Sequence, residues 1–200
     1  MIEAPPPLAC PRLLAQFIAS NVSDAAKAQL LFVLAAVEDV ALAAAYQKLV
    51  VPSVAGVSRR VPAKADIVAF LEDVAQTRTE VAKWTKQTRL RWAEGFRLVL
   101  REVGIITGTS AGREALSPPV VRDEPICLLC HALADIGVSG WPILRHELTK
   151  LLLVTDADAI RAARALQDRG WWTYAQSGEF VEFRRNHGSL EEWMNHGLGQ

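Results

Sequence analysis

The segment Cys127-Leu128-Leu129-Cys130-His131 sets two thiols and an imidazole at the spacing of a covalent haem attachment site. That chemistry needs both thiols open to the porphyrin and the imidazole free to bind iron. Here the five residues sit inside an apolar run with the cysteines one helical turn apart, so they are expected to face a core as small hydrophobes. No haem or other cofactor is expected. Metal chemistry fares no better: the third cysteine is the distant Cys10, and His146, His187 and His196 show no paired ligand spacing. His146-Glu147 begins like a zinc-protease helix, but Lys150 stands where the second histidine belongs. The glycine-rich stretch from Gly104 to Gly112 lacks the Lys-Ser/Thr of a phosphate loop, and no serine occupies a Gly-x-Ser-x-Gly elbow. No set of acid, base and nucleophile is present, so neither an enzyme nor a small-molecule substrate is expected.

Basic side chains carry the remaining chemistry. Lys83 to Arg101 holds six cations against one carboxylate: Lys83, Lys86, Arg89, Arg91, Arg97 and Arg101 against Glu94. Arg59 and Arg60 stand in a nearby loop. Further on, Arg161 and Arg164 lie early on a helix, and Arg184 and Arg185 follow a predicted hairpin. A guanidinium matches phosphate because its planar fork makes two charge-assisted hydrogen bonds. Lys83, Lys86, Arg89, Arg97, Arg101, Arg161, Arg164, Arg184 and Arg185 are therefore the candidate nucleic-acid contacts, weighed against the plain alternative of solvated helix faces. The six tryptophans could stack on unpaired bases, but their places at helix and strand starts suit core anchors better.

The elements that would position these cations follow from caps and periodicity. A helix is predicted from about Pro11 to Ala19. Ser23 or Asp24 then caps a long Ala/Leu-rich helical region reaching about Val50, where Pro52 should stop it. Val51 to Pro62 reads as a loop, and Ala63 to Gln76 as a helix with Ile67, Phe70, Leu71 and Val74 inward. A helix from Thr85 to Val103 puts Trp92, Phe96, Val99, Leu100 and Val103 on one face, and Lys86, Arg97 and Arg101 on another. Gly104 ends it, and the Pro-containing stretch Leu116 to Arg122 suits a short edge strand. After Asp123 come helices over Ile126 to Ile136, Trp141 to Val154, and Thr155 or Asp156 to Arg169. A hairpin follows, Trp171 to Ala175 and Phe180 to Phe183, and a last helix is opened by Ser189.

Arginine-bearing helix, stopping glycine and β-branched or aromatic run thus occur twice, at Gly104-Ile105-Ile106 and at Gly170-Trp171-Trp172. The fold class expected is mostly α: a helical bundle with two helix-turn-helix or winged-helix-like units and a short C-terminal hairpin wing. The division expected is 1–122 and 123–200.

Half of the 200 residues are hydrophobic, enough for a substantial core. Basic and acidic residues number 22 each, so attraction to a polyanion must come from segregated charge. The first 20 residues lack the basic region of a secretory signal. The apolar segment Ala28 to Ala45 is interrupted by Glu38-Asp39, well short of the roughly 20 residues a bilayer needs. A cytoplasmic protein without membrane contact is expected.

The middle of the chain resembles a known family. The residues are Ile67-x-x-Phe70-Leu71, Val81-x-x-Trp84-Thr85-x-x-Thr88-Arg89 and Phe96-x-x-Val99-Leu100-Arg101-Glu102-x-Gly104-Ile105-Ile106. With the later Gly170-Trp171-Trp172 and Ser189-Leu190-Glu191-Glu192-Trp193, they are similar to the BrxA family of BREX bacteriophage-defence systems, over roughly Gln29 to the C-terminus. The resemblance implies a small, mostly helical, noncatalytic protein of helix-turn-helix or winged-helix character that binds double-stranded DNA beside other BREX proteins. It supplies no binding residues; the candidate cations come from helix geometry. The readings left open beside it are a protein-interaction adaptor and a winged-helix transcriptional regulator.

Overall fold

Asp39 divides what its apolar neighbours would otherwise make one long helix. In the computed structural model, which describes residues 8, 10–56, 60–108 and 114–198, α2 (Asp24–Glu38) ends one residue before it. α3 (Val40–Ala45) starts one residue after it. Asp39 is extended, and its Oδ1 accepts the N–H groups of Ala41 and Leu42 at 2.9 and 3.1 Å, satisfying donors that a helix start leaves unpaired. The helical path turns by 107° there. The expected uninterrupted helix to Val50 is corrected on this point: the aspartate is a cap. Among the described residues no single helix is long and apolar enough to cross a membrane.

Pro52 does not stop the following helix either. A π-helical turn, Tyr46–Val50, leads into α4 (Val51–Ala55), whose first turn holds Pro52. Proline is tolerated there because a first-turn N–H needs no partner within its helix. The expected loop therefore begins after Ala55.

Two compact units result, Met1–Val33 with Val121–Gln200, and Leu34–Val120. In the second of these, α5 (Lys64–Ala75), α6 (Thr79–Ala82) and α7 (Lys86–Glu102) precede a short hairpin, β1 (Ile106–Thr107) paired antiparallel with β2 (Ala115–Leu116). The edge strand predicted over Leu116 to Arg122 thus lies earlier, sharing only Leu116 with β2; Pro118 and Pro119, which have no N–H to give a ladder, fall outside it. The core gathers Ile67, Phe70, Leu71, Phe96, Leu100 and Ile105, all nearly inaccessible.

The other unit is built on α8 (Asp123–Asp135), in which every residue from Pro125 to Leu133 is buried. Such a helix needs cover on all sides. Two 3-10 turns, Trp141–Arg145 and Thr149–Leu151, α9 (Asp156–Asp168), the hairpin β3 (Trp172–Ser177) with β4 (Phe180–Arg185), and α10 (Leu190–His196) provide it. The helix expected over Trp141 to Val154 is corrected to those two turns. Pro142 enters the first, the buried Thr149 hydroxyl donates to the carbonyls of Ile143 and His146 at 2.9 Å each, and His146 Nδ1 accepts the Leu148 N–H at 3.3 Å. Side chains thus take backbone partners that an α-helix would use. α1 (Pro11–Ala19) belongs to this unit as well: Arg12 pairs with Glu191, and Gln16 donates to Asn195 at 3.1 Å.

Both glycine stops have the same backbone. Gly104 (φ 84°) donates to Arg101 O while Ile105 donates to Leu100 O; Gly170 (φ 71°) donates to Gln167 O while Trp171 donates to Leu166 O. These are paired Schellman bonds around a left-handed residue, a conformation glycine adopts without steric cost.

Candidate nucleic-acid interface

α7 is capped by Thr85, whose hydroxyl accepts the Thr88 N–H at 3.1 Å. Its apolar side buries Ala93, Phe96 and Leu100. Trp92 stacks on Phe96 with ring centroids 5.3 Å apart and donates its indole N–H to Asp39 Oδ2 at 3.2 Å. Apolar contact and one long-range hydrogen bond therefore fix the helix rotation, and with it the placement of the cations.

The cations of α7 fall into two sets. Arg97 and Arg101 both close on the Glu114 carboxylate, and Arg97 also donates to the Pro62 carbonyl. The Arg97 and Glu114 side chains are only 15% and 16% exposed, against 38% for Arg101. The Arg101 hydrogen bond and the Arg97 charge hold the Glu114 carboxyl below its usual value against the opposing effect of burial. The β1–β2 register explains the arrangement, since pairing Thr107 with Ala115 returns the chain over the end of α7. No local sequence signal marks Glu114 as a partner for helix residues that precede it by more than three turns.

The other set lies at the opposite end. Lys83 caps the end of α6 and Lys86 opens α7; both are exposed, as is Arg78 before α6. None of the three forms an ion pair with a described residue, so Arg78 joins the candidates although the sequence reading passed over it. The partial positive charge of a helix N-terminus adds to theirs. Arg89 turns toward the apolar side, half-buried, with its Nε shielded from solvent and unpartnered. Arg60 pairs with Asp66 at 3.4 Å; Arg59 lies outside the described residues.

In the other unit carboxylates hold most of the arginines. Thr155 caps α9 together with Asp158, whose Oδ2 accepts the Thr155 N–H at 2.8 Å and hydroxyl at 2.7 Å, while Oδ1 pairs with Arg161. Arg184 is paired with Glu182 at 2.8 Å, Arg185 with Asp135, and Arg169 with Asp123 at 3.3 Å. Arg164 is exposed and forms no such pair with a described residue. It lines a polar groove of about 640 Å³ with Gln167, Tyr174 and Gln176, between α9 and β3.

The Cys-x-x-Cys-His motif forms the centre of this unit's core. Cys127, Cys130 and His131 have no solvent exposure. His131 stacks on Trp193, meets Trp172 edge-on at 5.1 Å, and has no hydrogen-bond partner on either ring nitrogen. Burial, with Arg185 and His187 nearby, lowers its pKa to about 3, and burial raises both thiols. A neutral ring and two protonated thiols are core groups, closed to a porphyrin; no cluster of three metal-ligating side chains occurs among the described residues.

Comparison with curated proteins and with solved structures finds no match. The profile of the BrxA family matches residues 9–131, which takes in α1 through α7, the β1–β2 hairpin and most of α8. That stretch is more than half of the sequence and contains the whole arrangement of α7, its glycine stop and its Glu114 clamp: the chain belongs to the BrxA family.

Proposed function

We propose that this chain is a noncatalytic, double-stranded-DNA-holding component of a BREX-like phage-defence system, working in the cytoplasm and gripping backbone phosphates through the Arg78, Lys83 and Lys86 end of α7. The carrying observation is a separation along α7: at and just before its N-terminal end stand exposed cations that form no ion pair with a described residue, and at its other end arginines closed on a carboxylate. Helix, short helix, longer helix and hairpin, in the order α5, α6, α7 and β1–β2, agree with a winged helix-turn-helix, whose third helix meets the duplex. α8, the 3-10 turns, α9 and β3–β4 repeat that order. Phosphate contact carries little sequence information by itself, so binding to unrelated duplexes with similar affinity is expected.

The test is duplex binding by fluorescence anisotropy at low and moderate salt, for the native chain and for Lys83→Glu/Lys86→Glu. The double variant should weaken binding to every duplex about tenfold or more and flatten the salt dependence. Unchanged affinity would overturn this placement. An adaptor role suits the other unit, whose arginines are largely neutralised and whose hairpin carries Phe180, 71% exposed; copurification of a partner by a chain that does not shift DNA would favour that reading.

A further inference from the structure

The six tryptophans divide evenly in the structure. Trp171, Trp172 and Trp193 are core anchors, at most 4% exposed, whereas Trp84, Trp92 and Trp141 are only half-buried. Two of the half-buried rings are fully engaged. Trp92 meets both Phe96 and Trp84 and donates its indole N–H to Asp39. Trp141 meets Tyr174 at 6.0 Å and carries the Arg145 guanidinium over its ring at 5.9 Å. Among the described residues Trp84 meets no ring but Trp92, tilted 39° to it with centroids 6.2 Å apart, and its indole N–H finds no hydrogen-bond partner.

The Trp84 ring is nevertheless held in place. Its backbone N–H donates to the Val81 carbonyl at 3.1 Å in the turn that joins α6 to α7, and Thr85 beside it caps α7. The run Trp84, Trp92, Phe96 leads from the surface into the core, where Phe96 is 2% exposed. A ring with a fixed backbone, leaning on another fixed ring, loses little freedom when a planar group stacks on it. The charge around it is positive: from Arg78 to Arg89 four cations stand against the single carboxylate of Glu80. Cations that follow a phosphate backbone, beside an aromatic ring that takes a base, are the combination that holds single-stranded nucleic acid. Uninterrupted duplex cannot use such a ring, because each base is already covered by its neighbours in the stack.

We propose that Trp84 is a stacking platform for one unpaired base, so that the N-terminal end of α7 prefers duplex DNA that continues into a single strand over uninterrupted duplex. This rests on the phosphate-gripping reading of the same end and adds to it the form of DNA that the site takes.

The test is fluorescence anisotropy of the full chain on a blunt duplex and on the same duplex extended by a short single-stranded thymine tail. The tailed duplex should bind about tenfold more tightly. Trp84→Leu keeps an apolar side chain beside Trp92 but has no π face; it should remove that preference while leaving blunt-duplex affinity within about twofold of native. Trp84→Phe, which keeps a ring, should retain a preference of at least about threefold. In the native chain the tailed duplex should also quench tryptophan emission more than the blunt one, a readout that needs no variant. Lys83→Glu/Lys86→Glu should weaken binding to both probes together. Failure of the phosphate reading would therefore show as unchanged affinity for both probes in that double variant, separately from any failure of stacking. Equal native affinity for the two probes, a tail preference that survives Trp84→Leu, or a Trp84→Leu loss of equal size on both probes would each overturn the proposal.

Discussion

Lys64 to Leu116 and Asp123 to Arg185 share a local plan, a capped helix, a Schellman glycine and an antiparallel hairpin, yet they anchor that plan by different means. The first hairpin has two residues per strand and is tied to its helix by Glu114 between Arg97 and Arg101. The second has six per strand and is held by aromatic packing, Trp172 stacked on Phe183 at 4.5 Å over the buried His131. A small hairpin with few apolar side chains needs charge to hold it, and that charge is withdrawn from the surface. A large aromatic hairpin holds itself, and its two arginines are neutralised by Glu182 on the same strand and by Asp135 at the end of α8. The count of arginines in a helix is therefore a poor guide to how much positive charge it shows to solvent.

The difference is most open to challenge at Trp172. Its truncation to alanine should cost about 3–5 kcal/mol, enough to unfold much of a domain of ordinary stability, as read from urea denaturation. A cost under about 1 kcal/mol would mean that the second hairpin does not depend on its aromatic packing.

Acid should distinguish the regions next. His131 is neutral in the fold, with its pKa lowered from 6.5 to about 3 by burial. Below about pH 6.5 the unfolded chain binds a proton there that the folded chain does not, so stability falls as pH drops from 6.5 toward 3, by up to about 1.4 kcal/mol per pH unit. Urea midpoints at pH 7 and pH 5 should differ by about 2 kcal/mol in the derived stability, with hydrogen exchange at α8 and β3 following the same course. Glu114 acts over a lower range: its depressed pKa gives stability that is present above its ordinary value of 4.5 and is lost as pH falls through the folded value. Equal stability at pH 7 and pH 5 would remove His131 from this account.

The smallest effect concerns what the regions share. Gly104→Ala and Gly170→Ala should each cost about 1–2 kcal/mol, because both backbones are left-handed. Similar melting-temperature losses would show that the two stops are equivalent and that the regions part only beyond them; unequal losses would place the difference in the turn itself.

Much of the architecture could be read from caps. Thr85, Thr155 and Ser189 each accept an N–H three residues on, and Pro11, Gly104 and Gly170 mark the ends they were expected to mark. What escaped reading depends on contacts with no local signature. The 3-10 path through Pro142 and Thr149 is decided by side-chain hydrogen bonds inside a core, and the π turn lets Pro52 open a new helix instead of ending one. The state of the arginines and lysines escaped for the same reason: Arg169 finds Asp123 and Arg185 finds Asp135 across about fifty residues of sequence, whereas Lys83 and Lys86 find no carboxylate among the described residues. Helical spacing showed which side of α7 was cationic, and only the returning hairpin decided which end of that side stayed so.

Asp39 has a consequence in time as well as in space. Its Oδ1 serves the amides of Ala41 and Leu42, available as soon as those residues have been made, whereas its Oδ2 serves Trp92, fifty-three positions later. The break in the apolar helix can therefore form on the ribosome before α7 exists to pack against it. An unbroken helix over residues 24–55 would be roughly 48 Å long, more than the roughly 30 Å hydrocarbon thickness of a bilayer. One carboxylate divides that length with hydrogen bonds made within three residues of itself, and the tryptophan adds a long-range hold on the same bend.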